Sequence, residues 1–248
     1  MSIISIINQK GGVAKTTTAV NLAYEWSAMG KKVLLIDLDP QASATKSIFG
    51  DLDFEFTSYD VVTHNASVKQ SVQHSERFGI DVIPGEIMLS GIDIKLAAQF
   101  GREKYLKRSL MSVKTKYDVV IIDCSPTLGL LTVNALIASD EIVIPICPEY
   151  FSLKGIELIL DTINNIRAGL GHTIKIKGIV ITRYKGRKVI DSVIERVEKT
   201  YGLKVFSDFI PDNIAVEEAH HVHLPVRKHC PESKAAEAYK NLAKALWR

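Results

Sequence analysis

The 248-residue chain has no apolar run approaching the ~18 residues that a membrane span requires, so a transmembrane protein is not expected. Repeats, low-complexity tracts and linker-like stretches are also missing. That argues against a solenoid or a string of modules, and leaves one α/β domain over residues 1–248. Cysteine is scarce. Cys124, Cys147 and Cys230 are odd in number and far apart, which gives no disulfide framework; buried, reduced thiols are the expectation. The N-terminus runs directly into a strand pattern, so no signal peptide is expected. Net charge is small: 31 Lys and Arg oppose 28 Asp and Glu, for +3. That balance alone says nothing about nucleic acid, and any such argument must rest on where the cations cluster.

What is present is alternation. Continuous β-branched runs at 3–7, 33–36, 80–83, 119–122, 142–146 and 176–181 read as strands buried on both faces, with a short one at 204–206. Helical patterns fall at 16–29, 101–113, 128–138, 152–168, 188–201 and 233–246. Gly30 is a stop for the first, and Ser152 and Ser233 are N-caps. Residues 40–75 read as short helices and loops. This order predicts a doubly wound, mostly parallel sheet with helices on both faces, and a ligand crevice at the C-terminal strand ends.

The first strand leads into Lys10-Gly11-Gly12-Val13-Ala14-Lys15-Thr16-Thr17-Thr18 and then a helix. A strand, a glycine-bearing turn and a helix start can cradle phosphate, because backbone N–H groups from Gly11 to Thr17 converge and the helix adds its positive end. Lys15 can reach the β and γ phosphates, and the Thr16 hydroxyl can ligate Mg²⁺. The generic G-x-x-x-x-G-K-[ST] pattern fits only in part, since Gln9 and Ala14 stand at its glycine positions. The variant K-G-G-x-x-K-[ST] fits completely.

Two further strands end in acid. Val-Leu-Leu-Ile-Asp37-Leu-Asp39-Pro40-Gln41 carries two carboxylates at the tip of a buried strand, where charge belongs only if water, metal or phosphate meets it. Val-Val-Ile-Ile-Asp123-Cys124-Ser125-Pro126 repeats the arrangement. Asp123 and Asp37 would hold Mg²⁺ through water, and 124–126 would form a loop that senses the γ-phosphate.

Taken together, residues 10–18, 37–41, 123–126, 148–155 and 210–219 resemble the ParA/Soj partition ATPases, of the deviant phosphate-loop superfamily that includes MinD and the nitrogenase iron protein. The resemblance runs from the first strand to the last helix. Asp-Leu-Asp-Pro-Gln favours the partition branch, and the iron-protein branch lacks its second cysteine. By this resemblance ATP and Mg²⁺ close a homodimer, with Lys10 as the signature lysine reaching the partner's ATP. Asp39 positions the hydrolytic water, while Thr182, Arg183, Pro211, Asp212 and Asn213 line the adenine. A ParB-type partner stimulates a slow intrinsic hydrolysis and releases the dimer from DNA. Two departures stand out. Ala14 replaces a frequent glycine and is expected to tighten the loop. Asp212 replaces a frequent basic residue, which leaves the adenine contacts open. No helix-turn-helix extension precedes the loop, so operator-specific regulation is not expected.

Cations cluster at Arg183-Tyr184-Lys185-Gly186-Arg187-Lys188, and the last helix offers Lys234 and Lys240. Such clusters suit phosphate contacts without sequence readout. Non-specific double-stranded DNA is the expected partner; the ParA/Soj resemblance, in which an arginine of this segment contributes to DNA binding, points chiefly to Arg187, then Lys188, with Lys185 in the same cluster. His220, His221, His223, His229 and Cys230 lack a matching second half for a metal site, and the resemblance places them in an ordinary loop before the last helix. The final helix is amphipathic, but packing is the expected use of its apolar face, with no stable membrane association. The expected location is cytoplasmic and nucleoid-associated. The rival readings are a MinD-like membrane-associated positioning ATPase and a nucleotide-switched DNA-binding regulator with little hydrolysis.

Overall fold

The computed structural model describes residues 1–148, 152–186 and 190–247, with the backbone alone at 152 and 153. Seven strands form one sheet: β1 (Ser2–Ile6), β2 (Val33–Leu38), β3 (Gln73–Ser75), β4 (Ile80–Ile83), β5 (Val119–Cys124), β6 (Glu141–Ile146) and β7 (Lys175–Ile181). Their order is β3-β4-β2-β5-β1-β6-β7, parallel except for the antiparallel edge strand β3. The apolar strands lie where the run lengths predicted, because β2 and β5 are buried at every position. Alternate residues feed two cores. Leu34, Ile36, Val120 and Ile122 face one layer. Val33, Leu35, Val119 and Ile121 face the other, with the helices α1 (Lys15–Ala28) and α12 (Lys234–Trp247).

Helix α1 stops at Gly30, whose φ of 78° lets its N–H reach Ser27 O while the Lys31 N–H reaches Trp26 O. Ser233 caps α12 by accepting from the Ala236 N–H at 3.2 Å. The predicted helix at 152–168 is α8 (Ser152–Leu170), so Ser152 is its first residue rather than the one before it.

Four departures from the sequence pattern have local causes. Residues 204–206 make only a parallel bridge, Val205 to Ile179, because the chain stays alongside β7 for just two hydrogen bonds. Polar β3 escaped notice because its pairing rests on β4 rather than on apolar alternation; His74 Nδ1 meets Asp81 Oδ1 across the pair at 2.8 Å. The helix predicted at 101–113 is a 3₁₀ turn, the short α6 (Tyr105–Leu110) and another 3₁₀ turn. The segment expected as a loop before the last helix contains α10 (Ile214–His221) and α11 (Val226–His229). Asn213 caps α10 by accepting from the Ala215 N–H, and Ala219 and Val226 bury its inner side.

Candidate functional site

The tips of β1, β2 and β5 form the floor of the site. In register, Ile6 pairs with Asp123 and Asp37 pairs with Asp123, so the loop after β1 and both acidic tips meet at one place. The loop turns through two left-handed residues, Gly12 at φ 72° and Ala14 at φ 58°. An alanine there costs about 1 kcal/mol relative to glycine, which explains why the generic pattern has glycine at that position. Neighbouring strands pin the loop. Asn8 Nδ2 donates to Pro145 O at 2.7 Å, and Asn8 Oδ1 accepts from the Lys10 N–H at 3.0 Å. From the tip of β7, Thr182 Oγ1 donates to Val13 O at 3.1 Å, and Arg183 Nη1 reaches Gly12 O at 3.5 Å. Lys15 is buried and folds back so that Nζ donates to Lys10 O at 3.1 Å. Burial lowers its pKa, and the nearby Asp123 and Asp39 partly restore it.

The two tip carboxylates have opposite surroundings. Asp37 Oδ2 accepts from both the N–H and the hydroxyl of Thr45 at 2.8 Å, and its Oδ1 accepts from the Asp39 N–H at 3.1 Å. Thr45 Oγ1 in turn accepts from the Gly85 N–H at 2.8 Å. A Cβ on Gly85 would lie 2.8 Å from Asp37 Cγ, so only glycine fits beside this carboxylate. Asp37 therefore organises the start of α2 (Ser43–Phe49) as well as facing the site. Asp123 is equally buried, yet neither of its oxygens has a hydrogen-bond partner. Asp39 Oδ1 accepts from the Gln41 N–H at 2.9 Å. Burial raises the Asp37 pKa to about 6, against the pull of Thr45 and the Asp39 N–H. Burial, reinforced by Asp37, raises Asp123 well above the carboxylate range, and the adjacent Thr16 hydroxyl and Lys15 pull it back only in part.

An orphaned, buried carboxylate beside a threonine hydroxyl and a lysine is a hard-oxygen donor set suited to Mg²⁺, which takes one or two protein oxygens and fills its shell with phosphate and water. Among the described residues no cluster of three acidic, histidine or cysteine side chains could hold a metal by itself, so the set depends on phosphate oxygens to be complete.

The pKa shift gives a pH dependence. Asp123 holds its proton more tightly in the folded chain than in the unfolded one. As pH rises past about 4, the unfolded chain loses that proton first, so this group's contribution to stability is lost with rising pH. Asp123→Asn in nucleotide-free protein should therefore match the native chain near pH 4. It should become more stable than native, on the order of 2 kcal/mol, above neutrality, as read by urea unfolding across pH.

Beside the phosphate loop lies a cavity of about 210 Å³, lined by Ala14, Thr17, Arg183, Pro211, Asp212 and Tyr239 among others. Asp212 stands in the midst of cations, with Lys185 Nζ 3.0 Å from Oδ2 and Arg183 Nε 3.9 Å from Oδ1. Asn213 Oδ1 is committed to the α10 cap. Lys185 thus sits at the rim of this cavity, while Lys234 and Lys240 are exposed on α12. Arg187 and Lys188 lie outside the described residues, as do residues 149–151 of the segment 148–155. Asn8, Thr45, Gly85 and Tyr239 were not singled out from sequence. Each acts on a partner many residues away, and no local pattern marks such pairs.

A family model described as an AAA domain matches residues 1–176. The sporulation initiation inhibitor protein Soj of Bacillus subtilis is 42% identical over 246 residues, covering 98% of this chain and 97% of that protein. The chain belongs to the ParA/Soj family of partition ATPases. The chromosome partitioning protein ParA of Caulobacter vibrioides is 37% identical, covering 99% of this chain and 94% of that one. Among solved structures, cobyrinic acid a,c-diamide synthase from Mycobacterium smegmatis with bound ATP analogue and magnesium is 32% identical. Its TM-score is 0.87, with 100% of this chain and 95% of that chain covered. The doubly wound fold and the ATPase class implied by the ParA/Soj resemblance both stand. No helix among the described residues is long and apolar enough to cross a membrane.

Proposed function

We propose that this ParA-family chain is a DNA-partitioning ATPase that uses ATP with Mg²⁺ over residues 1–248 as one domain. The observation that carries the reading is the unpartnered Asp123 carboxylate beside Lys15 and Thr16 at the mouth of the phosphate loop. Bound Mg²⁺ would neutralise triphosphate charge, with Thr16 as its ligand and Asp123 and Asp37 holding its water. The N–H groups of Gly11, Gly12, Val13, Ala14, Lys15, Thr16 and Thr17 cradle the phosphates, and Lys15 holds the β and γ oxygens. Asp39 orients water for in-line attack. Lys10 reaches across a closed homodimer and stabilises charge that builds on the partner's leaving oxygens. Thr182, Arg183, Pro211, Asp212 and Asn213 surround the base.

The closed dimer brings two basic faces together and binds duplex DNA non-specifically, through Arg187, Lys188 and Lys185, with Lys234 and Lys240 adding contacts. A ParB-type partner stimulates hydrolysis and frees the dimer. The setting is cytoplasmic and nucleoid-associated. The apolar face of α12 is buried against α1, with Trp26 Nε1 donating to Ala243 O at 2.9 Å, which supports packing over a membrane anchor for that helix.

A DNA mobility shift with ATP, with a slowly hydrolysed analogue and with ADP tests the cycle. Retention is expected with the first two alone, and raised salt should weaken it steeply because two patches release counterions together. Equal retention with ADP would defeat the cycle, and binding to liposomes instead of DNA would favour the MinD-like alternative.

A further inference from the structure

One of the cations that follow β7 already has an anionic partner. Residues 183–188 hold four cations and no acid, yet Lys185 Nζ lies 3.0 Å from Oδ2 of Asp212, which arrives from a separate segment of the chain. The backbones that carry the two charges are fastened together. The Asp212 N–H donates to Tyr184 O at 3.1 Å, and the Tyr184 N–H donates to Ile210 O at 3.0 Å, in a parallel bridge between residues 184 and 211. The Tyr184 and Phe209 rings pack beside it at 5.6 Å. Arg183 is shared: its Nη1 reaches Gly12 O at 3.5 Å, while its Nε stands 3.9 Å from Asp212 Oδ1. Lys185 is the outer partner. Its side chain is 74% exposed and that of Asp212 33%, so a large ligand can reach the pair from solvent. A carboxylate held against an ammonium at this distance stands where a phosphate oxygen would, because both are anionic oxygens accepting from the same donor.

We propose that Asp212 is a built-in competitor for nucleic-acid phosphate: it holds Lys185 in the free protein, and a duplex phosphate must displace it to reach that cation. The inference deepens the DNA-binding reading above and rests on it. It gives Lys185 an exchange of partners on binding, and it gives Asp212 the role of lowering DNA affinity without touching the duplex. Because the charge of Lys185 is already matched, few counterions leave the DNA on its account. Asp212 also lines the cavity beside Ala14 and Thr17, so one carboxylate borders both the nucleotide side and the DNA side of this segment.

Asp212→Asn keeps the shape of the side chain and removes its charge. Binding of a short duplex of random sequence is read by fluorescence anisotropy across a salt series, for native protein, Asp212→Asn, Lys185→Ala and the double variant. All are saturated with a slowly hydrolysed ATP analogue, and its occupancy is measured in each. Asp212→Asn should bind about five- to twentyfold tighter, since an exposed ion pair is worth up to about fivefold and a dimer holds two. Its log affinity should fall more steeply with log salt, by roughly 2, for one added phosphate per chain. In the Lys185→Ala background the same substitution should gain about twofold or less, which separates release of that lysine from the general loss of a negative charge. An equal gain with and without Lys185 would overturn the proposal, because bulk charge would then account for the effect. Native protein that binds DNA while Asp212→Asn binds no tighter would also overturn it, and would leave the DNA reading standing. Absence of DNA binding by native protein and by every variant would overturn both.

Discussion

Lys15→Ala should weaken Mg-ATP binding by about a hundredfold or more, some 3 kcal/mol, in calorimetric titration. The side chain is buried, with Nζ held by Lys10 O at 3.1 Å and facing the fields of Asp123 and Asp39. A desolvated ammonium already aimed across the loop needs little reorganisation to meet a phosphate oxygen. Its loss also removes the one cation that offsets the burial of the Asp123 carboxylate. The variant should therefore bind Mg²⁺ alone no worse than native protein does, while losing the nucleotide. Normal ATP affinity in this variant would remove the phosphate-loop assignment, and with it the reading of Thr16 and Asp123.

Lys10→Ala should separate binding from turnover. Phosphate release should fall by about a thousandfold, the lower end of what a cation supplied in trans contributes to phosphoryl transfer. ATP affinity of the single chain should change little. The backbone of residue 10 is fixed within its own chain, since its N–H is held by Asn8 and its carbonyl by Lys15. Both bonds are made by backbone atoms of residue 10 and survive truncation of its side chain. The trans role has its own test: mix Lys10→Ala chains with Asp39→Ala chains, each inactive alone. If Lys10 serves the partner's nucleotide, a mixed dimer contains one intact site and activity returns. If Lys10 serves its own nucleotide, no mixture recovers.

The parts of this fold that were legible are those where one residue type decides the matter locally. Runs such as Val33–Leu38 and Val119–Cys124 can only be strands buried on both faces, and an aspartate at the end of each marks the tip. Gly30 ends α1 because a left-handed residue must follow the helix there. What escaped notice depends on partners distant in sequence. Nothing near Thr45 announces that both its N–H and hydroxyl hold Asp37. Nothing near Tyr239 announces Thr18. Residues 73–75 are polar and pair with β4 for reasons of edge position, and α10 and α11 are short enough for their His-rich composition to hide them. The fold therefore follows from pattern, whereas the wiring behind the carboxylates follows from three-dimensional neighbours.

Strand β1 leaves the ribosome before the other six strands but sits between β5 and β6, and α1 is covered by α12. At typical synthesis rates of about 5–20 residues per second, the earliest segment waits roughly ten seconds or more for its last neighbours. Until then a run of isoleucines and the whole inner side of α1 face water, a hazard for sticking to other nascent chains. The order of the strands thus delays completion of the turn after β1 until both of its neighbouring strands, β5 and β6, have been made.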